Sequence, residues 1–267
     1  MALEANDLVR ILIGIICECI VFTACCVITV MIMLRNKKSK KPQLSMMTNF
    51  FILYALSIAA SIVGKILTYI KEDYSLDKTE WGIFTNWSFS LGFIALSLYF
   101  QLEVSWQLFP PKIKNFRLFA QLGSIVLFLI IFAIPRHTID GTETIFYPLK
   151  FAMVFIYVLA ASLYYMIHSY KVYTFLRNKF LRRRIHAGLI FYGSIIFVFI
   201  FFMISSIYGI MTDIYYSWGY FISITFMMIA AISAYFFVKH GKESDRQEID
   251  EELKKLTLDR KSRNEEN

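Results

Sequence analysis

Two ionisable side chains stand deep inside long apolar runs of this sequence, Glu18 in the run Leu8–Leu34 and Lys65 in the run Met46–Ile70. A charge in such surroundings is expensive to hold and is a functional hypothesis by default. Glu18 lies about 10 residues into its run, roughly 15 Å along a helix at 1.5 Å per residue, too deep for a short side chain to reach water. If the two runs are antiparallel helices, Glu18 and Lys65 sit at comparable depth and can pair. A purely structural ion pair, or a lysine snorkelling outward, is one reading. The sharper one is an outward-facing ligand pocket walled by Glu18, Lys65 and Asn86. Asn86 also opens Asn86-Trp87-Ser88, a glycosylation sequon too near an apolar run to be used.

A second constellation lies at the opposite end of the runs. Glu103, beside Gln101 and Trp106, can pair with a basic residue of loop three (Lys112, Lys114, Arg117) or of loop five and lock that face as a switch would. Arg182, Arg183 and Arg184 are its basic counterparts there. The bland alternative is an interfacial carboxylate that reaches headgroup water. Gln121 and Lys150 fall near run ends, where wetting is cheap, and carry no special claim.

Other chemistries find no residues to do them. His137, His168, His186 and His240 form no ligand motif with carboxylates, so no metal site is expected. Cys17-Glu18-Cys19 is a poor metal site because alternate positions of a helix face different ways. Cys17, Cys19, Cys25 and Cys26 share one run, cannot close a disulfide framework and read as small hydrophobes. There is no Gly-rich phosphate loop, no Ser/His/Asp set, and no lysine in the last run for a retinal Schiff base. The expectation is a non-enzymatic protein without cofactor.

These residues must be positioned by helices in a bilayer. The 267 residues are 57% hydrophobic and 17% aromatic, with a mean hydropathy of +0.55, more apolar surface than a soluble domain can hide. Seven runs approach or exceed the roughly 20 residues needed to span: 8–34, 46–70, 81–108, 116–134, 147–167, 187–211 and 218–238. Lacking water, their backbones must bond internally, so an all-α, seven-helix polytopic bundle is expected. The first run follows an acidic start and is too long for a signal-peptide core, so it reads as a span. All five prolines fall at expected helix ends or in loops, which argues for continuous helices. Trp81, Trp87, Trp106 and Trp218, with Tyr69 and Tyr147, read as interfacial belt residues.

Charge alternates from loop to loop. Residues 35–41, 112–117 and Ser169–His186 are basic without acids, whereas Lys71–Glu80 and the next two loops of that parity carry the carboxylates. By the positive-inside rule the N-terminus is outside and the C-terminus inside, in the cell membrane. The net charge of +8 is explained by topology and anionic headgroups, and nucleic acid is not an expected partner. After Val238 comes a charged tail in which Ile249, Leu253 and Leu256 recur at i, i+4 and i+7, a short amphipathic helix that can dock a partner.

Seven helices with an outside N-terminus, short loops and a long basic fifth loop resemble the seven-helix sensor regions of microbial receptors, such as seven-transmembrane histidine kinases. The resemblance covers about residues 8–238 and rests on topology. It implies an extracellular or membrane ligand, a separate cytoplasmic signalling partner, and possible self-association into a homo-oligomer. Helix three ends Glu103-Val104-Ser105-Trp106 and helix seven lacks Asn and Pro, so the signatures of the common G-protein-coupled receptors are absent. The alternative is a small transporter resembling the PQ-loop carriers, built as three helices, a linker and three more, with Leu34-Arg35-Asn36-Lys37 answered by Leu176-Arg177-Asn178-Lys179. A lipid-handling or scaffold role is the third.

Overall fold

The computed structural model describes residues 5–40, 42–71, 88–110, 115–133, 143–176, 178–212 and 217–238. Among them are seven helices and no strand: α1 (Ala5–Ser39), α2 (Pro42–Lys71), α3 (Ser88–Leu108), α4 (Phe116–Ala133), α5 (Glu143–Phe175), α6 (Lys179–Thr212) and α7 (Trp218–Val238). Six of them are long and apolar enough to cross a membrane; α4, whose apolar part is Phe116–Phe132, is shorter. The chain is a multi-pass helical membrane protein.

The polarity pattern fits lipid as the solvent. Val9, Ile16, Ile20 and Val27 of α1 are more than half exposed, while many serines, Gln101 and several charged side chains are turned inward. Ser57, Ser61, Lys65, Ser90, Ser97, Gln101, Ser105 and Lys150 are all buried. Apolar surface can stay outward in lipid, but each polar group must find an internal partner.

The helices pack in chain order as a closed ring, α1–α2–α3–α5–α6–α7 and back to α1, with α4 outside the ring against α3. Phe116 meets the Trp106 ring at 5.1 Å and Phe132 meets Phe89 at 5.3 Å, so α4 runs antiparallel along nearly all of α3. Gly92 makes that approach possible, since a Cβ there would run into the Phe128 and Phe132 rings. The core between α2 and α6 is aromatic, with Phe50 edge-on to Phe191 at 5.8 Å.

The connections differ from the sequence expectation in one informative place. The basic stretch Ser169–His186, expected as a loop, is mostly helix: α5 continues to Phe175 and α6 starts at Lys179. Lys and Arg are good helix formers, and a helix need not stop at the bilayer surface. At 33 and 34 residues, α5 and α6 are each about 50 Å long and outreach the ~30 Å hydrocarbon core. Asn178 caps α6, its Oδ1 accepting from Phe180 N at 2.9 Å and Leu181 N at 3.0 Å. The α1–α2 turn is tighter still: Lys40 adopts a left-handed φ of 47° and its N–H returns to Asn36 O at 2.8 Å. Pro42 then opens α2, where a missing N–H costs nothing. The third span was expected to begin at Trp81; its helix is described from Ser88, and residues 72–87 lie outside the described residues. Pro148 lies inside α5, near its start.

Candidate functional site

Glu18 and Lys65 do meet. Antiparallel packing of α1 and α2 brings Lys65 Nζ to 2.7 Å from Glu18 Oε1, with only 2% and 3% of the two side chains exposed. The same oxygen accepts from Ser61 Oγ at 3.0 Å and from Tyr220 Oη of α7 at 2.9 Å. Lys65 Nζ also donates to Ser61 Oγ at 2.7 Å and stands 5.1 Å from the centre of the Tyr220 ring. Three donors on one carboxylate oxygen tie α1, α2 and α7 together.

Helical spacing builds this site. Ser57, Ser61 and Lys65 recur every four residues, so they stack along one face of α2. Gly14, one turn before Glu18 on α1, lets the Tyr220 phenol close in; a Cβ there would meet Tyr220 Cε1 and Oη at 3.3 Å. Below the triad lies a cavity of about 20 Å³ bordered by Glu18, Tyr54, Ser57, Ser61 and Ser90, where Ser57 and Ser90 hydroxyls bond at 2.9 Å. Glu18 Oε2 is buried and has no hydrogen-bond partner among the described residues. A volume of this size is enough for one water molecule among polar walls.

A second buried polar layer joins α3, α5 and α6 further along. Gln101 Nε2 donates to Ser162 Oγ at 3.2 Å, and the Tyr192 and Ser105 hydroxyls bond at 3.1 Å. The Tyr192 ring lies flat on Tyr165 at 4.0 Å and 12°. Tyr165 in turn sits over Gly188, where no side chain would fit. One turn before Gly188, Arg184 Nε donates to Phe237 O at 3.0 Å, satisfying a carbonyl at the end of α7 that has no partner within its own helix.

The expected inner-face constellation is divided. Glu103 is buried and pairs with Arg117 Nη2 of α4 at 3.0 Å, and Gln107 Nε2 donates to it at 3.3 Å. Among the described residues no hydrogen bond or ion pair joins Glu103 to Arg182, Arg183 or Arg184. Arg182 stacks on Tyr173 across the α5–α6 turn at 4.5 Å, Arg183 is exposed, and Arg184 serves α7. Trp106, expected in the interfacial belt, is 1% exposed because α4 and α5 cover it; Trp218 is 54% exposed. Asn86 and the tail residues Ile249, Leu253 and Leu256 lie outside the described residues.

Three residues of these layers were not anticipated. Tyr220 looked like any apolar-run aromatic, and nothing in one sequence announces its partner 202 positions away. Lys150, passed over as a wetted helix-end residue, is 2% exposed and donates to Ser88 Oγ at 3.1 Å. Its position two residues after Pro148, facing the start of α3, puts it in the ring interior. The Asn178 cap was readable from the residue type once α6 is known to start at Lys179.

Among the described residues no group of three or more His, Cys, Asp or Glu side chains is placed to hold a metal ion. No family model, no curated protein and no solved structure matches the chain.

Proposed function

We propose that this chain is a receptor-like membrane protein, oriented with its N-terminus outside and its C-terminus inside the cell membrane, that passes an outer-half event to its inner face through α7. The observation that carries this reading is that α7 is fastened by a polar contact near each end. Tyr220 is held by Glu18, and Phe237 O is held by Arg184, 17 residues or about 26 Å further on. A ligand that binds the two positions of α7 with different affinity shifts their populations. Moving Tyr220 off Glu18 and rotating α7 alters the Arg184 contact and with it the basic end of α6. Glu18 and Lys65 are the outer end of this device; Arg184 is the inner end.

The transporter reading draws less support from the structure. The matched tetrapeptides occupy different places, Leu34–Lys37 within α1 but Leu176 and Asn178 in the turn before α6. They do not mark equivalent positions of a repeat.

Crosslinking in native membranes followed by affinity purification tests the proposal, comparing the full chain with one ending at Val238. A cytosolic signalling protein recovered with the full chain and lost on truncation is the expected result. Recovery of both forms alone, or only self-associated, overturns the receptor reading, and solute flux in proteoliposomes becomes the measurement to make.

A further inference from the structure

At the α1–α2 turn a recess of about 460 Å³ opens between the end of one helix and the start of the next. Its polar walls are Asn36, Lys37, Lys40, Ser45 and Asn49, and Met33 forms an apolar side. Among the described residues no carboxylate borders it. The side chains of Lys37, Lys40, Asn36 and Asn49 make no hydrogen bond or ion pair among the described residues. Two uncompensated ammonium groups and two free amides thus face one hollow. Lysines are strong point-charge partners for phosphate. The hollow lies where the spans Asn6–Lys37 and Pro42–Ile70 end, at the level of lipid headgroups.

We propose that this recess binds the phosphate of an anionic phospholipid, with Lys37 and Lys40 contacting the phosphate oxygens and Asn36 and Asn49 donating to phosphate or glycerol oxygens. The shared chemistry, an anionic phosphate, is also that of free inorganic phosphate. Met33 favours the lipid, because its thioether wall gives the root of an acyl chain an apolar surface. The proposal does not depend on the receptor reading: it concerns a different part of the bundle and is tested without any signalling partner.

The test is native mass spectrometry of the full chain released from vesicles of equal phosphatidylglycerol and phosphatidylcholine. The wild-type chain is expected to retain the anionic lipid preferentially, and Lys37→Gln/Lys40→Asn to lose about thirtyfold of that preference, from about tenfold per 1.4 kcal/mol and two lysines near the surface. Asn is chosen at position 40 because it tolerates the left-handed φ. Lys171→Gln/Lys179→Gln, which removes equal charge from exposed sites elsewhere, is expected to keep the preference. Equal retention of both lipids by the wild type, or equal loss in both double variants, overturns the site. A photoreactive phosphatidylglycerol headgroup on the wild-type chain gives a readout free of variant folding: labelling within residues 33–49 is expected, and labelling confined elsewhere refutes the proposal. Displacement of the lipid by millimolar inorganic phosphate assigns the recess to free phosphate and overturns its lipid assignment.

Discussion

A double-mutant cycle on Glu18 and Lys65 tests whether the two form a true buried ion pair. At 2.7 Å the gross attraction is about 6 kcal/mol with an effective dielectric of about 20, and desolvation of both groups opposes it. Breaking such a pair from one side leaves a buried charge, which typically costs about 3–5 kcal/mol. Lys65→Met leaves the carboxylate with the Ser61 and Tyr220 hydroxyls. Glu18→Gln leaves the ammonium with Ser61 and the Tyr220 ring, so its cost belongs near the lower end of that range. The double variant removes both charges and keeps an amide carbonyl for the two hydroxyls; its expected cost is below about 2 kcal/mol. The coupling is therefore at least about 3 kcal/mol, well above the roughly 0.6 kcal/mol, at most about 1.7, found between polar side chains in bilayers. Thermal unfolding in detergent micelles reads it: each single variant should lose roughly 6–20 °C, at about 2–4 °C per kcal/mol for a chain of this size, and the double variant should recover most of the loss. Single variants that each cost under about 1 kcal/mol and add in the double variant would refute the pair, since a lysine that reaches water needs no carboxylate.

Removing only the hydroxyl with Tyr220→Phe should cost about 1–2 kcal/mol, between a charge-assisted bond in water and a polar contact in lipid; an unchanged melting temperature would mean that α7 is not fastened there. Gly188→Ala must push the Tyr165 ring off its place against Tyr192 and should cost about 1–3 kcal/mol as an overpacked site. Gly123→Ala, with nothing within 4 Å of the new methyl, should be neutral or stabilise by up to about 1 kcal/mol, so the same melting assay on the two variants separates packing from propensity. Asn178→Ala strips two backbone N–H groups of their acceptor and should cost about 1 kcal/mol, with faster amide exchange at Phe180 and Leu181.

The helices were legible because lipid imposes a crude rule: apolar runs of sufficient length become helices, and no finer choice of backbone is open to them. The Glu18–Lys65 pair was legible for the same reason, since two opposite charges in antiparallel spans have few other partners. What the sequence hid were contacts between helices not adjacent in the chain. In a soluble helix the buried face shows as an apolar stripe, but Val9, Ile16 and Ile20 face lipid while Ile11 and Val21 face protein, and both sets are apolar. Without that contrast, the facing of Tyr220 toward Glu18 and of Tyr192 toward Ser105 could not be read. Trp106 was misplaced by the same blindness, since an interfacial tryptophan and a buried one occupy similar sequence positions. The basic stretch Ser169–His186 misled in the opposite way: its charges report which side of the bilayer it occupies and say nothing about whether the backbone there is helical.

The two fastenings of α7 set a limit on what that helix can transmit. A hydrogen bond to a charged acceptor contributes about 1.5–3 kcal/mol, and the Arg184 bond to Phe237 O falls in the same class because its donor is charged. If α7 works as proposed, coupling between its ends cannot exceed the weaker of the two; with about 1–2 kcal/mol for the Tyr220 bond in lipid, freeing Tyr220 changes the equilibrium at the other end by at most roughly fivefold to thirtyfold, within the ordinary range of allosteric coupling. Stiffness favours such transfer. α7 has no proline between Tyr220 and Phe237, and it packs along α6 more extensively than along α1. If α7 works as proposed, a displacement of its Tyr220 end is not absorbed at a kink and reaches the Phe237 end, where it works against the Arg184 contact. On the proposed reading, fixing α7 to α6 by a disulfide at the Phe237 end should abolish any response of that end to Tyr220→Phe, while fixing it at the Tyr220 end should leave the Phe237 end unchanged whatever is altered at Glu18.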